Sequence, residues 1–97
     1  MAQNTTVSLA ARAWTQLTNA DVSAIRIQNA SGYLLKVKAT VGATPPTDDL
    51  GAIWIEPFRI LATDLTLAQL FPGVSGANRV YAYQDGPNAI NVSFSHA

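Results

Sequence analysis

The chain's only histidine is His96. Acyl-transfer chemistry needs a base held beside a nucleophile, and a histidine at the penultimate position is expected to meet solvent or a neighbouring protein instead. Asp48 and Asp49 form the one adjacent carboxylate pair, with Glu56, Asp64 and Asp85 elsewhere. Neighbours on an extended chain point opposite ways, so the pair reads as a solvated turn or a strand entry rather than an acid–base couple. A weak cation site is the other reading, although Asp-Asp-Leu-Gly lacks the converging oxygens of a calcium loop. The absence of cysteine excludes a disulfide framework, thiol catalysis and a zinc–thiolate centre. There is also no glycine-rich phosphate loop and no histidine pair at helical spacing. We therefore expect no enzyme, cofactor or metal.

The remaining candidates are contact residues. Arg26, Lys36 and Lys38 form a basic set on strand-like segments. It reads either as a docking strip for an acidic partner or as the solvated face of a β-hairpin. Trp14 and Trp54 are expected as core or interface anchors, with a stacking platform for a sugar ring as the alternative. The loop from Gly42 to Asp49 carries Thr44, Pro45, Pro46, Asp48 and Asp49; its two prolines stiffen it for contact.

Composition sets the context. A length of 97 residues allows one domain with one modest core, taken as 1–97. Charged residues make up 12% of the chain and the net charge is zero; the charged share is about half the usual one. Such a surface resists association poorly, so it is expected to be covered by neighbours in an assembly. No basic excess points to nucleic acid, and no apolar run is long enough for a membrane. The opening MAQNTTVSLAARAW lacks the basic start and apolar run of an export signal.

Local patterns predict the elements that must carry these residues. Thr5 to Leu9, Ala13 to Leu17, Val22 to Asn29, Tyr33 to Val41, Ala52 to Glu56, Phe58 to Ala62 and the two arms of Arg79 to Ala97 read as strands. Thr18 to Asp21 reads as a turn. Ala30-Ser31-Gly32 predicts a three-residue hairpin loop with Gly32 left-handed, setting Ile25 opposite Val37, Ile27 opposite Leu35 and Arg26 opposite Lys36. Asp85-Gly86-Pro87-Asn88 predicts a second hairpin, with Asn88 left-handed because proline cannot be. That register puts Tyr81 and Tyr83 on the core face with Ile90, Val92 and Phe94. Pro57 makes its strand an edge strand or bends it. Thr66-Leu67-Ala68-Gln69 matches a capping box, the start of one helical turn whose Leu67, Leu70 and Phe71 plug the core. The fold class is all-β: an antiparallel β-sandwich or small jelly-roll-like barrel of about eight short strands with one short helical turn. Immunoglobulin topology is the rival.

The phrases GATPPT (Gly42 to Thr47), DLGAI (Asp49 to Ile53) and LFPGVSGANRVYAY (Leu70 to Tyr83) are distinctive, as are the opening AWTQLTNADVSAIRIQNASG and the ending VSFSHA. Together they resemble a family of short virion-associated proteins of tailed bacteriophages and prophages, similar in layout to head-decoration proteins. At Trp54-Ile55-Glu56-Pro57-Phe58 this chain is more apolar than that family's pattern. The resemblance implies a capsid decoration protein, assembled in the bacterial cytoplasm and resident in the virion. It also implies other virion proteins as partners, the major capsid protein first, and a homo-oligomer. The alternative is a tail- or head-fibre module that holds a host surface glycan.

Overall fold

A computed structural model describes residues 3–18, 22–61 and 66–96. Two antiparallel four-stranded sheets hold β1 (Gln3–Leu9), β2 (Thr15–Gln16), β3 (Ile25–Asn29), β4 (Leu35–Thr40), β5 (Ile53–Ile55), β6 (Ile60–Leu61), β7 (Arg79–Gln84) and β8 (Ile90–His96). A single helical turn, α1 (Leu67–Leu70), precedes β7. The all-β expectation holds. Sheet A runs β1-β8-β3-β6 and sheet B runs β2-β7-β4-β5. Every connection except β4 to β5 passes from one sheet to the other. This is the strand order of a jelly roll, two interlocked Greek keys, and it differs from the immunoglobulin order.

Both predicted hairpins are overturned by that order. β3 pairs with β8 and β6, whereas β4 pairs with β7 and β5. Ile25 and Ile27 accordingly face His96 and Phe94, and Arg26 faces Ser95 rather than Lys36. β7 and β8 also lie in different sheets. Neither Gly32 nor Asn88 takes a positive φ. The two connections are corners between sheets, and each is pinned by a buried amide.

Asn29, fully buried at the end of β3, donates from Nδ2 to the carbonyls of Tyr33 (2.7 Å) and Ile55 (3.1 Å). Its Oδ1 accepts from the Ser31 hydroxyl at 2.7 Å. Gln84, fully buried at the end of β7, accepts from the Gly86 N–H (2.6 Å) and donates to the Asn88 carbonyl (2.7 Å). Buried amides satisfied in this way hold a turn in one shape. The corners also touch: a Cβ on Gly86 would come within 3.0 Å of the Tyr33 ring.

Strand alternation builds the core. Ile25 and Ile27 of β3 and Ile90, Val92 and Phe94 of β8 join Leu35, Val37 and Ala39 of β4 and Val80 and Ala82 of β7 in one apolar cluster. The capping box forms as expected, with Thr66 accepting from the Gln69 N–H and the Gln69 side chain accepting from the Thr66 N–H. Leu67 and Phe71 are buried and Leu70 packs beside them. β5 is an edge strand that stops before Pro57. The expected strand from Ala13 is shorter and starts at Thr15. Expectations at Asn19 to Asp21, Ala62, Asp64 and Ala97 lie outside the described residues.

Candidate functional site

Because Val80, Ala82 and Gln84 of β7 point inward, Tyr81 and Tyr83 occupy the outer face of sheet B. The expected core placement of the tyrosines is thus reversed. Tyr81 is still buried, its hydroxyl donating to Gln16 Oε1 at 3.0 Å, whereas Tyr83 is half-buried. The reason is the strand partner: β7 sits against β4, so its outward positions register with Lys36 and Lys38.

A row of side chains crosses this face. Trp54 of β5 lies opposite Lys36 of β4, and Lys36 lies opposite Tyr83 of β7. Thr15 of β2 pairs with Ala82, which brings Trp14 beside Tyr83 with ring centroids 5.3 Å apart. The Lys36 Nζ stands 5.2 Å from the Trp54 ring centroid and 5.6 Å from that of Tyr83, within cation–π range of both. It also reaches Asp49 Oδ2 at 2.9 Å and Asp85 Oδ2 at 3.0 Å. Lys38 holds Asp48 at 3.0 Å, and the same Asp48 oxygen accepts the Leu50 N–H. These bonds draw the end of the Gly42 to Asp49 loop over sheet B. A cleft of about 310 Å³ opens between that loop, Tyr83 and Trp14.

The electrostatics hold Lys36, Asp48 and Asp49 in their charged forms. Hydrogen bonds donated to Asp49 and then to Asp85 raise the pKa of the Lys36 ammonium above the ordinary lysine value. Lys36 in turn holds Asp49 below the usual carboxylate range, and Lys38 with the Leu50 N–H does the same for Asp48. An ammonium kept protonated is a poor nucleophile, and a carboxylate kept ionised is no proton donor. Both aspartates are well exposed, so water and salt weaken these pairs and they add little to folding.

The expected contact residues divide. Lys36, Lys38, Asp48, Asp49 and Trp54 come together on sheet B. Arg26 is exposed on the outer face of sheet A, so no three-residue basic strip exists. Thr44 and Pro45 are exposed and Pro46 is half-buried. His96, expected at the surface, is buried on β8 between β1 and β3, stacked on Phe94 at 5.5 Å. Burial lowers its pKa from the ordinary value. Trp14 is half-buried and Trp54 59% exposed; neither belongs to the core. Asp85 and Tyr83 join the site without having been anticipated, because only the β4–β7 pairing brings them to Lys36.

A second feature sits on the margin formed by the edge strands β5 and β6. The Arg59 N–H bonds to the Glu56 carbonyl at 3.1 Å, closing a four-residue turn with Pro57 second and Phe58 third. Phe58 has φ of 59°. Proline favours the second position of such a turn, and a positive φ at the third calls for glycine or asparagine. Here an aromatic residue takes it, with its side chain 71% exposed. Ile60 and Leu50 are also largely exposed. The signal was present in Pro57-Phe58, a turn-making proline followed by a residue ill suited to the turn.

Among the described residues, no group of three or more His, Cys, Asp or Glu is placed to hold a metal ion, and no helix is long and apolar enough to cross a membrane. Neither a protein-family model, nor a curated protein, nor a solved structure matches the chain.

Proposed function

We propose that this chain is a non-enzymatic structural protein of a bacteriophage particle, a decoration protein that binds the assembled capsid and reinforces it as a small symmetric oligomer. The observation that carries the reading is Phe58. A left-handed backbone costs a residue with a Cβ about 1–2 kcal/mol, and an aromatic ring that is 71% exposed recovers little of that by packing within its own chain. Strain of this kind persists where the displayed group is used, and a rigid exposed aromatic is a typical protein-contact anchor. Ile60, exposed at the same margin, extends the apolar surface, while the shortness of β5 and β6 limits unwanted strand pairing. The low charge and the resemblance to virion-associated proteins point the same way. A protein that binds only the assembled shell stabilises that state by mass action. The test is to add back protein to particles of a phage lacking the gene. The unaltered protein should bind in many copies and raise the temperature at which the shells rupture. Phe58→Gly should fold yet fail to bind; equal binding and equal protection by Phe58→Gly would refute the reading.

A further inference from the structure

We propose that the outer face of sheet B, from Trp14 and Tyr83 across Lys36 to Trp54, is a binding site for an uncharged oligosaccharide. This inference does not depend on the capsid reading, since neither Phe58 nor Ile60 belongs to the row from Trp14 and Tyr83 across Lys36 to Trp54.

The chemistry of the face selects the ligand. Aromatic rings flanking carboxylates would ordinarily suit an organic cation, but the position between Trp54 and Tyr83 is already filled by the Lys36 ammonium. An anion is disfavoured because Lys36 is matched by two carboxylates, Asp49 and Asp85, and Lys38 by Asp48. The fit is a neutral molecule with both an apolar face and many hydroxyls, which describes a pyranose. Its C–H face would lie on the indole of Trp54 or Trp14. Its hydroxyls would donate to Asp49 and Asp85, whose side chains are 47% and 59% exposed and whose carboxylates keep acceptor sites beyond the single bond each makes to Lys36. The Lys36 bonds pre-orient both carboxylates, which lowers the entropy lost on binding. Trp54 and Trp14 flank the four-strand width of the sheet, roughly 14 Å at the usual strand spacing, so the face spans several sugar rings rather than one.

The test is a titration of the isotope-labelled chain with maltotriose, cellotriose and mannotriose, following the two indole N–H resonances, with a sialylated trisaccharide as the charged comparator. At least one neutral trisaccharide should shift both indole signals saturably and bind about tenfold more tightly than the charged one. Trp54→Ala and Asp85→Asn should each weaken binding about tenfold with little change in melting temperature. Phe58→Gly should leave binding unchanged. The proposal is overturned by the absence of saturable shifts with all three neutral sugars, by equal or tighter binding of the charged sugar, or by undiminished affinity in Trp54→Ala. Loss of binding in Phe58→Gly equal to that in Trp54→Ala would overturn it as well.

Discussion

The end of the molecule where β3 turns into β4 and β7 into β8 contrasts with the margin where β5 turns into β6. At the first, two fully buried amides, Asn29 and Gln84, answer the polar groups of the turns, and the corners press on each other through Tyr33 and Gly86. At the second, the Arg59 N–H to Glu56 carbonyl bond closes a turn around a left-handed, exposed phenylalanine. Asn29 reaches only the flanks of this turn, donating to the Glu56 and Arg59 carbonyls. The chain changes sheet at both places, but the buried side-chain amides lie at the first. The outward Phe58 carries its conformational cost while 71% exposed, and the proposed shell contact would account for it.

Asn29→Ala should show the largest effect, because it removes the partners of the Tyr33 and Ile55 carbonyls and of Ser31 together. Leaving those groups unanswered in a buried corner should cost about 3 kcal/mol, read by urea unfolding; a loss no greater than that of an exposed substitution would break the contrast. Gly86→Ala follows. Its Cβ would fall 2.7 Å from Gln84 Oε1 and 3.0 Å from the Tyr33 ring, an overpacking that should cost about 2 kcal/mol. Phe58→Gly should move the other way and stabilise the isolated chain by about 1 kcal/mol through release of strain. A destabilised variant would mean that Phe58 packs within its own chain.

The smallest effect is one of pH. Burial disfavours the charged form of His96 and holds its pKa below the ordinary value of 6.5. As pH falls below that value the unfolded chain takes a proton that the fold resists, so stability declines toward acid; above it His96 adds no pH dependence. Melting temperature should therefore drop between about pH 7 and 5, and that slope should vanish in His96→Phe whatever the variant does to melting at neutral pH. Asp48 and Asp49, held ionised by Lys38 and Lys36, contribute a separate loss below their ordinary value of 3.8. It should be small because both are exposed.

The two outer faces show why some of this was legible and some was not. On sheet A the alternation of Ile25, Ile27 with Arg26, Gln28, and of Val92, Phe94 with Asn91, Ser93, declares its solvent side directly. On β4 the same holds for Lys36 and Lys38 against Leu35 and Val37. On β7 the run Val80-Tyr81-Ala82-Tyr83 offers no polar set, so alternation cannot tell inside from outside and the choice falls to the partner strand. Hence both tyrosines, Tyr83 of the candidate site among them, lie on the face opposite to the expected one.

The amino-acid sequence by itself determined the local terms: which segments extend, the inward residues of β3, β4 and β8, the edge character imposed on β5 by Pro57, and the capped turn at Thr66. Each depends on residues a few positions apart. Tertiary structure alone decided which strands became neighbours. The residues of Ala30 to Gly32 and Asp85 to Asn88 serve equally to reverse a chain within a sheet and to carry it to the next one. Burying one shared apolar core between both sheets, with Asn29 and Gln84 satisfied at the corners, resolved that choice and set Trp14, Tyr83, Lys36 and Trp54 in a single row.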